Sequence, residues 1–555
     1  MTKRTAFALV LLVLTGCRTP QLTTRPGPVT DTFGERKTLT HDVAELSKKA
    51  EALLRTQDEL VWKSWTQGVP GDIGVTYQGT EALFSPESIR KLERLRTLSE
   101  NPREIRALTF LQNYFVGEYL ALSITDITDA IANLEASLSF NVDGRDYAYR
   151  DLERLLANEK SAVKRHELYA GATPSVERLS QSLRRKNDKL ESLVLDLGYP
   201  SYEAFGAELR QVDLEKLSVL ADQILNETDA PYREVLARLA RDEVQLPLDR
   251  LGRPDLPRLF RPKGVDAFFP KSELLSRTQK TLSGMGLALS QFPNIHLDVK
   301  DSPKKNGRGL TLPVEVPGDV RVSLKLTGGV RDQRALLHEM GHALHDGLTT
   351  EKSFALSKLG NSTVAEAFSF LFEDLAEDPL WLEQMAGLSG AKLREYLAIS
   401  SAHELYLLRR AAGKLLYQLA LHRSPAAEPG ELYKSLMERT YALPMKADDL
   451  ARAVVDEEDF YPSADYFRAR FLAGQLQAQL EARFGPAWWK NPNAGILFRQ
   501  LFAPGNGRSA EEVAQALGEE GIKPDVLLLR LKKRAGPRSE PLTPEPAAPD
   551  QKTGR

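Results

Sequence analysis

Two histidines and a glutamate stand at a spacing suited to metal-assisted chemistry, in the segment His338-Glu339-Met340-Gly341-His342. An apolar and charged run from Val330 to Leu337 precedes the segment and predicts a helix. Because four residues make about one helical turn, His338 and His342 share a face and can direct two imidazole nitrogens at one ion. Glu339 lies on the adjoining face, where its carboxylate can take a proton from metal-bound water without being a ligand.

A catalytic zinc ion has three protein ligands and an open fourth position, so one more ligand is expected. Glu366 is the candidate, because it lies in a second helical run among small and apolar residues, where a carboxylate needs a partner charge. The sequence therefore predicts one Zn²⁺ ion bound by His338, His342 and Glu366.

Two nearby residues are candidates for supporting roles. Glu373 returns to nearly the same face as Glu366 and could orient a ligand histidine through its second ring nitrogen, or it could face solvent. His345 is expected to pack behind the ligands, with direct contact to substrate or metal as the alternative. The competing interpretation of the whole group is a solvated helix face. With eight histidines in 555 residues, a chance motif is expected in about one such chain in a hundred.

The N-terminus predicts export and a lipid anchor. Lys3 and Arg4 precede an apolar run from Ala6 to Leu14, which is too short to span a membrane and is typical of a secretory signal. Leu14-Thr15-Gly16-Cys17 resembles the lipobox of bacterial lipoproteins. That resemblance implies acylation of Cys17 and attachment to a lipid bilayer in the cell envelope. Arg18 then implies the outer membrane, with the protein facing the periplasm or the cell surface. An ordinary signal peptide or a buried cysteine is the alternative.

Bulk composition argues against a nucleic-acid partner, since 74 basic and 76 acidic residues give a net charge of −2. Cys17 is the single cysteine, so no intrachain disulfide can form. An apolar content of 42% is ample for a large core. Nothing in the composition indicates an oligomeric state.

The patterns divide the chain into five regions. They are a signal peptide (1–16), a flexible tether (17–36), an N-terminal helical half (37–265), a half that contains the motif (266–534) and a disordered tail (535–555). Helix starts are expected at Ser85 and Asn101, and strand signals are few before residue 266. Val320 to Leu326 alternates apolar and polar residues and predicts a strand. This strand could offer its edge to an extended peptide, which is compatible with an ordinary strand of a sheet.

The motif helix, the Glu366 helix and the aromatic segment Phe460 to Phe471 together resemble the gluzincin peptidases. The similar families are the thimet oligopeptidase/oligopeptidase F family and the related angiotensin-converting enzyme. Residues 338–345 are similar to the H-E-x-G-H-x-x-H signature of the oligopeptidases, and Glu373 falls where that family has its later glutamate. The spacing to Glu366 is more like that of the converting enzyme. The resemblance covers about residues 201–534.

The resemblance implies a mainly α fold, with two helical halves around a deep channel and a small β-sheet next to the zinc-binding helix. Such a channel would admit short unfolded peptides and exclude folded proteins. It further implies hydrolysis of peptide bonds in oligopeptides, with Glu339 as the general base. Tyr461 or Tyr466 would supply the phenol that stabilises the oxyanion.

The sequence departs from both relatives near these tyrosines. No histidine follows His422, so the histidine that accompanies the tyrosines in the families is missing, and Ala469 replaces a second tyrosine. Arg468 or Arg470 could bind a substrate carboxylate, pair with Asp465 or form a charged helix face. Two other interpretations follow. The protein could be a catalytically inactive, peptidase-like lipoprotein that acts as a peptide-binding or envelope scaffold, or a long-helix structural protein with an accidental motif and no metal.

Overall fold

The structure is a computed structural model that describes residues 33–69, 71–262, 264–360, 362–424 and 428–535. Helices predominate among these residues, with one two-stranded and one three-stranded sheet, so the predicted mainly α fold is confirmed. The predicted signal peptide, Cys17, Arg18 and most of the predicted tether lie outside the described residues, as do residues 536–555. The last four residues of the predicted tether are helical, because the first helix begins at Phe33.

The first part of the chain is a succession of helices interrupted by one hairpin. Its elements are α1 (Phe33–Gln67), α2 (Pro86–Leu98), α3 (Pro102–Ser123), α4 (Thr125–Ser137), β1 (Ser139–Val142), β2 (Arg145–Ala148), α5 (Leu152–Asn158), α6 (Ala162–Gly171), α7 (Thr173–Asp196), α8 (Tyr202–Arg210), α9 (Leu214–Glu227), α10 (Asp229–Leu239) and α11 (Leu256–Leu259). The expected helix starts are present: Ser85 Oγ accepts the Ser88 N–H, and Asn101 Oδ1 accepts the Arg103 N–H. These bonds satisfy amides that a helix start leaves open.

The second part contains the motif. Its elements are α12 (Lys271–Gly284), β3 (Ile295–Asp298), β4 (Leu310–Glu315), β5 (Asp319–Ser323), α13 (Val330–Gly347), α14 (Phe354–Ser357), α15 (Thr363–Glu373), α16 (Pro379–Ala386), α17 (Gly390–Arg423), α18 (Pro429–Tyr441), α19 (Ala447–Leu450), α20 (Pro462–Phe484), α21 (Pro492–Phe502), α22 (Ala510–Ala516) and α23 (Asp525–Ala535). Across the described ranges, no helix is both long and apolar enough to cross a membrane.

Strand β5 lies in the middle of the three-stranded sheet, parallel to β3 and antiparallel to β4. The expectation that this segment offers a free edge to a peptide is therefore wrong, and β4 is an edge strand instead. Alternating residues identify the buried face of a strand but carry no information about its neighbours in the sheet. The order of the strands could not be read from the sequence for that reason.

The register shows which backbone groups of β4 face its outer edge. The N–H groups of Val320 and Leu324 point towards β3, where they donate to carbonyl oxygens. Arg321, which lies between them in β5, therefore directs its backbone groups at β4, opposite Leu312. The neighbouring residue in β4, Thr311, consequently turns its N–H and C=O away from β5 and towards the outer edge.

The sheet lies between two helices. On one face, the Thr311 hydroxyl donates to Glu339 of α13 at 2.8 Å. On the other face, the Arg321 guanidinium pairs with Glu59 of α1 at N–O distances of 2.6 and 2.9 Å. Helix α1 thus covers the side of the sheet that faces away from the motif helix, which makes a three-layer arrangement.

The two largest apolar cores of the described residues share helix α20. The first core contains α13, α15 and β5, with β3 packed against it, and the second contains much of α1, α2, α3 and α9. Phe467 and Phe471 of α20 pack in the second core, whereas Leu472 and Leu476 pack in the first. The predicted boundary at residue 265 and the predicted channel stay predictions.

Candidate metal centre

Helix α13 begins where two glycines turn the chain sharply. Gly328 and Gly329 have φ values of 103° and 98°, which other residues rarely adopt. A Cβ on Gly329 would lie 2.7 Å from Asp266 Oδ1, and this oxygen accepts the Val330 N–H at 3.1 Å. Asp266 thereby satisfies an amide at the helix N-terminus and fixes the direction in which the motif helix leaves the sheet.

The motif helix crosses α15 at Gly341. A Cβ on this glycine would lie 2.6 Å from the Ser369 Cα and 3.0 Å from the Phe368 carbonyl oxygen. Real Cβ atoms do not approach backbone so closely, so the two helices can meet here only because the residue lacks a side chain. The crossing places Glu366, about one turn before the contact on α15, beside the histidines of α13.

The three predicted ligands converge. His338 Nε2 lies 3.6 Å from Glu366 Oε2, and His342 Nε2 lies 3.6 Å from Glu366 Oε1. One ligand atom from each of the three residues lies within 4.8 Å of the other two. Two imidazole nitrogens and a carboxylate oxygen are donors that catalytic zinc takes. These residues therefore form a group that could bind a metal ion, and their chemistry fits zinc.

The group is closed on one side and accessible on the other. The His338 side chain is 5% exposed, whereas the side chains of His342 and Glu366 are 15% and 21% exposed. Solvent therefore reaches the side of the group that His342 and Glu366 form. Catalytic zinc sites need such a side for water and substrate.

Glu373 joins the metal group to a partly buried arginine. Its Oε2 lies 2.8 Å from His338 Nδ1, and its Oε1 accepts from Arg334 Nε and Nη2 at 3.1 and 2.8 Å. Burial alone would raise the pKa of the Glu373 carboxyl, but the Arg334 guanidinium and the His338 imidazole outweigh it and hold that pKa well below its usual range. An ionised Glu373 accepts the Nδ1 proton of His338, which leaves Nε2 as the nitrogen for a metal.

The predicted general base, Glu339, is held by the start of β4. The residue is 5% exposed, and its Oε2 accepts the Thr311 hydroxyl at 2.8 Å. A Cβ on Gly309 would lie 2.8 Å from Glu339 Oε1. The carboxylate therefore lies against the edge strand, with a hydroxyl at one oxygen and a bare glycine at the other.

The two predicted tyrosines lie in different surroundings. The Tyr466 ring centroid is 5.5 Å from that of Phe370, and Phe370 is 5.5 Å from the His338 ring. Tyr461 is fully buried among the rings of Tyr202 and His422, and its hydroxyl finds no hydrogen-bond partner among the described residues. Burial raises the pKa of the Tyr466 hydroxyl well above its usual value, so this phenol keeps its proton at neutral pH.

Arg468 is engaged by a carboxylate other than Asp465. Its Nη2 lies 2.7 and 2.8 Å from the two carboxylate oxygens of Glu511. Asp465 accepts instead from Arg210 at 2.7 Å. Substrate binding by Arg468 stays a prediction, and it would require the guanidinium to exchange Glu511 for the substrate.

Arg470 lies in a buried ionic cluster behind the metal group. Its side chain is 2% exposed and pairs with Asp374 at 3.1 Å and with Glu404. The guanidinium also lies over the Phe370 ring, 4.7 Å from its centroid. Substrate binding by Arg470 likewise stays a prediction. The guanidinium already contacts two carboxylates and an aromatic ring, and it would have to give up one of them to bind a substrate.

His345 packs in the core rather than with the ligand atoms. It is 1% exposed, its Nε2 lies 3.2 Å from the Gly505 carbonyl oxygen, and its ring packs against Phe368 and Phe502. Burial lowers the pKa of His345 to about 4, so the imidazole is neutral at pH 7. These contacts agree with the expectation that it packs behind the ligands.

Three residues of the site were not predicted: Arg334, Thr311 and Gly309. Arg334 lies one turn before His338 on the same helix, so helical spacing offered a weak signal. Thr311 and Gly309 belong to a strand that is remote in sequence, and no local pattern connects them to Glu339. No model of a known family matches this chain, and neither does any curated protein.

Proposed function

We propose that the protein is a lipid-anchored zinc metallopeptidase that hydrolyses peptide bonds of oligopeptides. The observation that carries the proposal is the convergence of His338, His342 and Glu366 within 4.8 Å. The bond from His338 Nδ1 to Glu373 supports it, since ligand histidines usually give their second nitrogen to a carboxylate or a carbonyl. Side chains on a solvated helix face would have no reason to converge or to carry such partners.

A zinc ion bound by these residues would supply Lewis-acid chemistry, lowering the pKa of a water molecule to about 7 and polarising the substrate carbonyl. The residues of the chain would move the protons. Glu339 would accept a proton from the attacking water and deliver it to the leaving amine. Tyr466 is better placed than Tyr461 to donate a hydrogen bond to the developing oxyanion, because only its ring packs on Phe370 beside His338.

An extended peptide is the substrate class that the edge of β4 suits. Extended chains bind sheet edges by backbone hydrogen bonds, and the N–H and C=O of Thr311 face that edge. Pro313, the next residue with the same orientation, has no N–H to give. Within Leu310–Pro313, Thr311 is therefore the one residue that can both donate to and accept from a peptide backbone, and its side chain touches Glu339.

The anchor and the location are proposed from the sequence. Acylation of Cys17 would attach the chain to the bilayer of a bacterial envelope, and Arg18 favours the outer membrane. Membrane fractionation of the wild type and of Cys17→Ala tests this part, with the variant expected in the soluble fraction. A Cys17→Ala protein that stays with the membrane would contradict lipid anchoring through this residue.

The peptidase proposal is tested with the purified protein, elemental analysis and a quenched fluorescent peptide library. We expect one zinc per chain and cleavage that a chelator abolishes and added zinc restores. Glu339→Gln should keep the zinc and lose cleavage by at least about 100-fold, as expected when a general base is removed. Glu383→Gln, an exposed carboxylate on α16, is the matched control. Cleavage that survives in Glu339→Gln would refute the assignment of the base.

A non-catalytic peptide-binding lipoprotein is the second candidate. The burial of Tyr461 away from the metal group and the lack of any histidine after His422 favour it. The same library separates the two functions. A scaffold would bind peptides stoichiometrically without turnover, whereas a peptidase would release products. A chain that binds neither zinc nor peptide would leave the long-helix structural protein.

A further inference from the structure

We propose that Thr311 is a positioning residue, whose hydroxyl holds the Glu339 carboxylate in place for proton transfer. The inference rests on the proposed peptidase function, because it assigns a partner to the general base of that reaction. Thr311 Oγ1 lies 2.8 Å from Glu339 Oε2 and 3.0 Å from the main-chain oxygen of the same residue. A hydroxyl has one proton to donate, and the carboxylate oxygen is the nearer of its two acceptors.

The contact fixes the conformation of the glutamate side chain. The hydroxyl belongs to β4 and donates to the carboxylate, so the glutamate side chain is held against the strand. On the opposite side, Gly309 gives the carboxylate room, since a Cβ there would lie 2.8 Å from Oε1 and 3.0 Å from Cγ. A base that is buried and held in this way rarely adopts side-chain conformations from which it cannot reach the substrate.

Thr311 also joins the base to the place where a peptide would bind. Its side chain faces α13, whereas its N–H and C=O face the outer edge of β4. A peptide backbone paired with Thr311 would therefore be fixed relative to the carboxylate that Thr311 holds. Removal of the hydroxyl leaves the backbone groups unchanged, so it should reduce the turnover number and leave the Michaelis constant nearly the same.

The test compares Thr311→Val, which keeps the branched shape and removes the hydroxyl, with Thr311→Ser, which keeps the hydroxyl. We expect Thr311→Val to lower kcat at least about tenfold with KM within about twofold of the wild type, and Thr311→Ser to keep more than about half of kcat. Zinc affinity should be unchanged in both variants, because Thr311 contacts the base and not the ligands. Thr109→Val, which removes a hydroxyl that bonds within α3, is the matched control and should keep kcat.

A second measurement needs no activity. In the metal-free protein, Thr311→Val should lower the apparent Tm in the wild-type background and lower it less in Glu339→Ala, because the variant lacks the carboxylate that the hydroxyl holds. If Thr311→Val lowered the Tm equally in the wild type and in Glu339→Ala, the proposed hydrogen bond between Thr311 and Glu339 would be refuted. If Thr311→Ser lowered kcat as much as Thr311→Val does, the loss of kcat would come from packing and not from the hydroxyl, and the proposal would be refuted. A Thr311→Val enzyme within twofold of the wild type in kcat would also refute it. A wild type that binds zinc and cleaves nothing would instead refute the peptidase function, while the Tm comparison still reports on the contact.

Discussion

At the scale of single residues, the orientation of the metal group depends on charged side chains that are not ligands. Glu373 gives one oxygen to His338 and the other to Arg334, and Arg334 also bonds Glu377. Two carboxylates therefore accept hydrogen bonds from one guanidinium, whose planar fork suits such an arrangement. The orientation of His338 consequently depends on a residue that does not touch the ligand atoms.

We expect Arg334→Met to weaken zinc binding by about tenfold, because Arg334 holds the Glu373 carboxylate that bonds the ligand histidine, and such outer groups contribute about 10- to 100-fold to metal affinity. Arg334→Lys should fall between the wild type and Arg334→Met, since an ammonium keeps the charge and loses the fork. Competition with a chelating dye measures the affinity. Arg331→Met, an exposed arginine on the same helix, is the control and should bind like the wild type. Equal zinc affinities in Arg334→Met and the control would show that Glu373 orients His338 without help from Arg334.

The sequence was informative about the residues that share one helix. His338 and His342 are related by a single turn, so their types and spacing sufficed to predict a common face. The role of Glu366 could be predicted from the sequence, because its helix places a carboxylate among apolar residues. The role of Thr311 could not be predicted from the sequence, since its contact with Glu339 depends on the register of β4 against β5 and on the way α13 crosses the sheet. The partners of Arg468 and Arg470 depend in the same way on helices that are distant in sequence.

At the scale of elements, the crossing of α13 and α15 builds the metal group. The backbones meet at Gly341, where an added Cβ would fall 2.6 Å from the Ser369 Cα. The position of Glu366 relative to both histidines follows from this crossing distance, since each helix is rigid over the single turn between contact and ligand. Gly341 therefore acts on the metal group through geometry, although it has no side chain.

We expect Gly341→Ala to force the two helices apart, which lowers zinc affinity at least about tenfold and destabilises the protein by about 1–3 kcal/mol, as overpacking does. Gly117→Ala is the matched control, because Gly117 lies within α3 and an added Cβ there meets nothing within 4 Å. That substitution should raise stability by about 0.5–1 kcal/mol. Chelator competition and thermal unfolding measure both effects. Unchanged zinc affinity in Gly341→Ala would mean that the crossing distance does not set the ligand geometry.

Long helices were predictable from periodicity, and the short strands were not. Helix α18 (Pro429–Tyr441) carries apolar residues at helical spacing over thirteen residues, a pattern that is typical of a helix. The hairpin of β1 and β2 was missed, although Asp143 and Gly144 adopt positive φ values of 52° and 74° in its turn. An Asp-Gly pair is a recognised hairpin signal, but strands of four residues give too little alternation to compete with the helical patterns around them.

At the scale of the whole molecule, the metal-bearing core and the second core share elements. Helix α20 contributes to both, and α1, which packs in the second core, covers the sheet of the first through the pair of Glu59 with Arg321. Lys358 adds to this connection, because its ammonium pairs with Asp58 of α1 and donates to the Val314 carbonyl oxygen of β4 at 3.3 Å. Unfolding one core would expose apolar surface of the other, so the two should lose structure together.

This coupling predicts that zinc stabilises the N-terminal helices as well as the metal-bearing core. Two of the five tryptophans, Trp62 and Trp65, lie on α1, and the others lie in the metal-bearing core. In a protein with both α1 tryptophans changed to phenylalanine, fluorescence therefore reports on the metal-bearing core, whereas far-ultraviolet circular dichroism reports on helices throughout the chain. We expect both signals to change in one coincident transition.

Zinc at about 100 times its dissociation constant should stabilise the folded state by about 2.7 kcal/mol, and we expect both signals to shift to higher temperature by the same amount. His338→Ala should show one transition and no shift, because it lacks a ligand. A dichroism trace with two steps, of which zinc moves only one, would contradict the coupling. It would mean that α20 and the α1 ion pairs connect the two cores too weakly for metal binding at Glu366 to stabilise α1.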